Sequence, residues 1–408
     1  MPHFESYDKV CEYMDSLGLF SMDMGLGRME AFWQHRGMPD IPVVHVVGTN
    51  GKGSTSTFFE SVARAHGVRT GLFTSPHLVT PRERIRIDGE MLNPAVWTRL
   101  ANMVLDTPGG SELTYFEFQT CLAMLAFIDA NVDVAVMEAG MGGRYDATNV
   151  FIPGLTLFVA IGMDHEAVLG NTLQAIALDK AGAMHEGGKA ITGAQNPEAL
   201  NVLFSQAQAV GADLAFADDM VPRLTEDLGL RGQYQRRNAR LAVAGWLAAA
   251  ERLGIDSDYS TIAEGLRQAF IAGRFHSVQL ERMPPLILDG AHNPHALEAL
   301  SRTLKEENIR PKALVFGCMA DKDIPRMVPL LLGMTDGPIF CPPIAWQRAA
   351  NPADLVAVLG DKAEAVESIT EALQRVAKYS GSVLVCGSLY LLAAFYELYP
   401  EFLSRKPQ

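Results

Sequence analysis

The chain has no apolar run long enough to cross a bilayer. Its most apolar stretches, 155–163 and 389–396, fall well short of the ~20 residues a membrane helix needs. Residues 1–15 are polar and acidic and lack the apolar centre of a signal peptide. Cysteine is sparse: Cys11, Cys121, Cys318, Cys341 and Cys386 are odd in number, far apart and form no C-x-x-C pair. That argues against a disulfide framework or a zinc ribbon, makes each thiol a small core residue, and leads to the expectation of a cytoplasmic protein. Positive charge is short as well. The 34 Lys and Arg face 47 Asp and Glu, and a net charge of −13 would repel a nucleic-acid backbone while still allowing a local pocket for a small anion. Neither nucleic acid nor membrane is an expected partner. Low-complexity segments and repeats of fixed period are missing too.

What is present is a globular balance, 48% apolar and 20% charged, in a chain of 408 residues, too long for one ordinary core. Short apolar runs at 43–47, 132–137, 156–161, 190–192, 285–288, 313–316, 338–341 and 383–386 read as strands. Helical stretches at 55–66, 117–131, 172–184, 238–253, 295–307 and 368–379 lie between several of them. Apolar runs without alternation suggest strands covered on both faces. The expected fold class is therefore α/β: a mostly parallel sheet flanked by helices and carrying a phosphate loop, followed by a second, smaller Rossmann-like α/β domain. An Ala-rich helical stretch ends near Gly273-Arg274, and Met283-Pro284-Pro285 leads into a new strand, so the domains are expected at 1–272 and 273–408.

The most informative segment is Gly48-Thr49-Asn50-Gly51-Lys52-Gly53-Ser54, between the β-branched run 43–47 and the hydroxyls of 55–57. Glycines let backbone N–H groups point inward, one lysine reaches outer phosphates and a hydroxyl can face a divalent ion. The match to the general P-loop is imperfect. Val46 stands at its first glycine and Gly53 where Ser or Thr would follow the lysine, with Ser54 one place later.

Ligands in such sheets sit beyond the carboxyl ends of strands. Glu138 ends one strand and can hold Mg²⁺ beside phosphates or form a rim salt bridge; the glycines of 140–143 leave backbone free to approach a ligand. His165 follows another strand and can serve metal, phosphate or structure. Ser75, before Pro76, reads as a turn residue, and Lys180 as a solvated lysine. Asp289 and His292 lie on a strand–turn–helix rim, where Asn293 and Pro294 can equally be a helix cap.

Taken in order, four segments resemble the folylpolyglutamate synthase/dihydrofolate synthase family, relatives of the Mur ligases. They are residues 48–54, 73–78, 142–149 and 288–294, within a likeness running from Gly25 to Ser388. The resemblance implies an ATP-dependent ligase that joins L-glutamate to dihydropteroate or to the glutamate tail of a reduced folate through an acyl phosphate. It implies phosphate contacts from Thr49, Asn50, Gly51, Lys52, Gly53 and Ser54, Mg²⁺ sites at Ser75, Glu138 and His165, and a carbamate on Lys180. Asn238, Arg274, Asp289 and His292 would contact the nucleotide, with ATP in a cleft between the domains. Asp23 and Met24, then Thr114, Tyr115, Phe116 and Glu117, then Tyr145, Asp146 and Ala147 would meet the pterin substrate. Met141 stands where relatives often carry Leu or Ile, and Tyr145 where bifunctional members commonly carry Leu; both ligase activities are expected, in a monomer. The alternatives are a Mur-type UDP-sugar peptide ligase, a P-loop kinase or NTPase, and a nucleotide-binding module without catalysis.

Overall fold

The computed structural model describes residues 3–18 and 25–404. Asp23 and Met24, expected at the substrate, lie outside the described residues. The chain divides into two compact units, one of residues 1–228 and 236–269, the other of 229–235 and 270–408. The expected cut at 272/273 lies close to the 269/270 junction, but a single cut did not foresee the short excursion at 229–235.

The first unit is built on an eight-stranded sheet. Its strands are β1 (Val43–Val47), β2 (Thr70–Phe73), β3 (Ile85–Ile87), β4 (Glu90–Met91), β5 (Val134–Glu138), β6 (Leu155–Phe158), β7 (Lys189–Thr192) and β8 (Asp213–Phe216), in the order β4-β3-β2-β5-β1-β6-β7-β8. Strands β2, β5, β1, β6, β7 and β8 run parallel; β3 and β4 add an antiparallel edge. Every residue of β1, β2, β5 and β6 is buried, as unbroken apolar runs demand when helices cover both faces. From β1 the chain first turns to one side, towards β2, and later to the other, through β6. The carboxyl end of β1 is thus a point where strand order reverses, the usual place for a ligand crevice. Helix Lys52–Ala65 follows β1 and buries Phe58, Phe59 and Val62.

The second unit holds β9 (His276–Val278), β10 (Leu286–Asp289), β11 (Ala313–Phe316), β12 (Ile339–Cys341), β13 (Ala363–Ala365) and β14 (Val383–Cys386), in the order β13-β12-β11-β14-β10-β9. All pair parallel except β9. The expected α/β class, with a mostly parallel sheet and a smaller second sheet, matches this architecture. The sequence reading did not foresee β2, β3, β4, β8, β9 and β13. Strands β3, β8 and β13 carry few buried residues and β4 and β9 are short, while β2 is fully buried but reads Thr70-Gly71-Leu72-Phe73, too brief an apolar run to stand out. Among the described residues no helix is long and apolar enough to cross a membrane.

Candidate active site

The bend after β1 is fastened to the segment after β6. Thr49 N donates to Ala160 O at 3.0 Å, and Gly162 N donates to Thr49 Oγ1 at 3.0 Å. Gly51 then opens helix Lys52–Ala65 with φ 100°, and no side chain caps that helix. Its first N–H groups are left for an anion, and the helix dipole favours negative charge there. A Cβ at Gly51 would stand 2.4 Å from Asn238 Oδ1, so the tight bend brings Asn238 against the loop. The departure at Gly53 has a physical reason as well. A Cβ there would lie 3.3 Å from Glu138 Oε2, close enough that a Ser or Thr would make the carboxylate shift by a few tenths of an ångström.

Glu138 closes β5 and is buried; its Oε2 accepts from Ser75 N at 3.0 Å. Ser75 is thereby more than a turn residue, since its backbone ties the end of β2 to the end of β5. His165 stands after β6 in a left-handed conformation, φ 50°, with Nε2 3.5 Å from Asp164 Oδ2. Partial burial pushes its pKa down; Asp164 opposes this, while Lys180 and Lys52 add to it. Among the described residues no three His, Cys, Asp or Glu side chains gather to hold a metal alone. The hard oxygens at hand are the Glu138 carboxylate and the hydroxyl of Ser75, the residue whose N–H that carboxylate accepts. They suit a Mg²⁺-type ion that completes its shell with phosphate and water.

Lys180 overturns its reading as a solvated lysine. It is 2% exposed, and its Nζ donates to Gly48 O at 3.0 Å, while Lys52 Nζ donates to the same oxygen at 3.2 Å. Burial, and secondly the charge of Lys52, bring Lys180 down to about 8. The glycine run at 140–143 is likewise used by protein rather than left open. Gly143 N donates to Asp179 Oδ1 at 2.9 Å, and Cβ atoms at Gly142 and Gly143 would strike Asp179 and Lys180 at 2.3 and 2.6 Å. Helix Leu173–Ala181 presses its carboxyl end onto these glycines, which is how Lys180 reaches the bend.

The segments expected at the pterin divide in role. Thr114 and Glu117 form a capping box for helix Tyr115–Asp129, and Glu117 also takes two hydrogen bonds from Arg28, at 2.9 and 3.0 Å. Their side chains are committed to structure. Tyr115 is buried, and the Phe116 ring lies 5.5 Å from Phe73. Tyr145 is half exposed, whereas Ala147 and Asp146 are buried. Asp146 accepts from Met141 N at 2.8 Å and from Thr148 N at 3.0 Å, and burial raises its pKa. Thr148 gives its hydroxyl proton to Asp146, so His45 Nε2, 2.7 Å away, must donate to Thr148 Oγ1. His45 is fully buried, and burial holds it near 3, hence neutral.

In the second unit Asp289 ends β10 and is buried. Its Oδ2 accepts from Phe275 N and its Oδ1 from Ala291 N, both at 2.9 Å; burial raises its pKa against the pull of Arg274. His292 Nδ1 donates to Gly290 O at 2.7 Å. Asn293 caps helix Pro294–Glu306 through Ala296 N at 2.8 Å, with Pro294 in the first turn. The capping role is real, and Arg274, Asp289 and His292 frame the same turn.

Sequence reasoning missed His45, Thr148, His77 and Arg84. The last sits in Pro81–Arg84, a charged stretch that resembles a solvated turn. No local pattern marks its burial, because that depends on what packs over it.

A parallel sheet with a phosphate-type bend at its strand-order reversal, two lysines on that bend and a strand-end carboxylate beside it define a phosphate-binding corner of the kind nucleotide-dependent enzymes use. The Mur ligase, glutamate ligase domain family matches residues 273–389. The chain is 33% identical to the dihydrofolate synthase/folylpolyglutamate synthase of Bacillus subtilis, over 96% of this chain and 98% of that protein. It is also 33% identical to the Escherichia coli protein of the same name, over 95% and 94%. Among solved structures, Escherichia coli FolC in complex with DHPP and ADP superposes with a TM-score of 0.85 at 30% identity, covering 98% of this chain and 99% of that one. The bifunctional Yersinia pestis enzyme complexed with AMPPNP and a Mn ion also gives 0.85, at 29% identity, over 98% and 100%. The chain belongs to the dihydrofolate synthase/folylpolyglutamate synthase family.

Proposed function

We propose that this protein is a Mg·ATP-dependent amide ligase that joins L-glutamate to dihydropteroate and extends the glutamate tail of reduced folates. The observation that carries this reading is the convergence of Lys52, Lys180, Ser75 and Glu138 on one bend at the carboxyl end of β1. The names of the Bacillus and Escherichia relatives, and the DHPP and ADP bound to FolC, support the substrate assignment.

The residue inventory suits acyl phosphate chemistry. The substrate carboxylate attacks the γ-phosphorus, ADP departs, and the amine of glutamate then displaces phosphate and loses a proton. No protein nucleophile is required, only alignment and neutralised charge. The open helix N-terminus and Lys52 would hold the phosphates; Glu138 and Ser75, with His165, would hold Mg²⁺. When bound, that ion would offset negative charge as the phosphoryl group moves. Asn238 would contact the nucleotide from beside Gly51, and the family resemblance assigns Arg274, Asp289 and His292 to the nucleotide as well. Tyr115, Phe116, Tyr145 and Ala147 would border the pterin, with Asp146 held ready by Met141 and Thr148.

A pKa of about 8 leaves part of Lys180 uncharged near neutral pH, the form that adds CO₂ and releases a proton to give a carbamate. That chemistry supports the carbamate as a proposal and would turn one of two adjacent cations into an anion able to face Mg²⁺. A monomeric, cytoplasmic protein is part of the same proposal; the five cysteines are all free, in keeping with a reducing compartment.

The test is product analysis by mass spectrometry with dihydropteroate and with tetrahydrofolate, run in parallel. Each should gain one glutamate with release of one phosphate, only when ATP and glutamate are both supplied. Product from one acceptor alone would reduce the protein to a single activity. A phosphorylated end product without an amide would make it a kinase, and turnover with a UDP-sugar peptide would place it with the Mur peptide ligases.

A further inference from the structure

Arg84 is the charge in the first unit that the structure leaves least accounted for. It is 5% exposed, and a buried guanidinium requires partners for its donors. Its backbone is pinned, because Arg84 O accepts from Thr74 N at 2.9 Å next to Ser75. Its side chain is aimed by two uncharged groups. Nε donates to His77 Nδ1 at 2.8 Å, and the guanidinium carbon lies 5.6 Å from the centre of the Tyr115 ring. Among the described residues no oxygen accepts from its two terminal nitrogens and no carboxylate pairs with it, nor are those nitrogens sealed from open space.

Neighbouring arginines are treated differently. Arg28 closes a two-bond pair with Glu117, and Arg86 donates to the carbonyls of Glu83 and Gly89. Glu83, next to Arg84 in sequence, spends its oxygens on the N–H groups of Leu78, Val79 and Thr80. Glu138 and Glu83 support the Arg84 charge only through space. With Nε occupied, the remaining edge is a rigid two-pronged donor whose geometry fits the paired oxygens of a carboxylate or a phosphoryl group.

We infer that Arg84 is a substrate-binding residue that grips the carboxylate to be activated, with His77 as the positioning residue that aims it. This rests on the ligase reading above. The carboxylate is favoured over the nucleotide phosphates because the bend at Gly48 already has Lys52 and Lys180, whereas Arg84 stands on Tyr115, in the segment matched to the pterin. A neutral His77 leaves the positive charge unspent; an aspartate there would cancel it.

The test measures binding of pteroate and of its carboxamide to the full-length protein by calorimetry, for the parent, Arg84→Gln and Arg84→Lys, with AMPPNP affinity as a control. The parent should prefer the carboxylate by about tenfold or more, the scale of a charged two-pronged contact. In Arg84→Gln that preference should collapse to about one while AMPPNP binding holds; Arg84→Lys, matching the parent in thermal melting, should keep only part of the preference. His77→Ala should weaken pteroate binding and leave the melt near that of the parent. An unchanged preference in Arg84→Gln overturns the inference. So does a loss of AMPPNP affinity with pteroate binding intact, which assigns Arg84 to phosphate. A parent protein that makes no glutamylated product overturns the ligase reading itself; an active parent with an Arg84-independent preference overturns only this inference.

Discussion

Two strand–turn–helix corners, one in each sheet, share an architecture and differ in how the helix begins. After β1, Gly51 enters helix Lys52–Ala65 with a left-handed backbone and no side-chain cap. After β10, Asn293 enters helix Pro294–Glu306 with its Oδ1 on Ala296 N and proline in the first turn. The second corner caps Ala296 N with its own side chain and has no N–H at Pro294; the first has no side-chain cap at all. The acids beside them differ in the same sense. Asp289 takes one backbone N–H from its own turn, at Ala291, and one from Phe275, whereas Glu138, which also accepts from Ser75 N, reaches across from another strand to stand beside Gly53. A glycine in place of a capping residue, with a carboxylate and two lysines brought alongside, turns a structural corner into a socket.

The contrast can be broken by substitution. The largest effect is expected for Lys52→Ala. Loss of charged hydrogen bonds worth about 1.5–3 kcal/mol each should lower turnover about 100-fold, with thermal melting near that of the parent. Steady-state kinetics and a melt, side by side, check this, and normal turnover would mean the first corner is no socket. Next comes Gly51→Ala. The left-handed backbone disfavours a side chain by about 1–2 kcal/mol, and the Cβ meets Asn238 at 2.4 Å. Nucleotide affinity should fall about tenfold, read by calorimetry, together with a lower melting temperature.

Lys180 gives a pH-dependent sharpening of the same point. Its folded pKa, about 8, lies below the ordinary 10.5, so between these values the unfolded chain holds more protons than the folded one. The contribution of this group to stability should therefore rise with pH from about 8 to 10.5 and level off above. Lys180→Met should flatten that part of the melting-temperature profile; an unaltered slope would show that the lysine is not held as described. The smallest effect is expected for Asn293→Ala, a cost of about 1 kcal/mol in urea unfolding with turnover little changed. A large loss of activity there would give the second corner a chemical role equal to the first.

The bend at 48–54 was legible because its parts are contiguous: strand, glycines, lysine and hydroxyls follow one another, so the physics of phosphate binding is written locally. Most buried strands were legible for a similar reason, their residues being apolar on both faces; β2, Thr70-Gly71-Leu72-Phe73, was buried yet missed because its apolar run is only two residues beyond a glycine. Lys180 was not, since a lysine near a helix end reads as solvated until Gly142 and Gly143 let that helix close on the loop. Arg84 was hidden by its charged neighbours, and β8 and β13 by their exposure.

The order of residues alone determined the α/β alternation, the phosphate-type bend and the strand-end acid, because short-range periodicity and backbone freedom are local properties. Tertiary structure alone decided that Lys52 and Lys180 share one carbonyl oxygen, that Glu138 stands close against Gly53, and that Arg84 is buried with its outer edge unpaired. Charge takes on chemical meaning through burial and distance, and both are set by elements far apart in the chain.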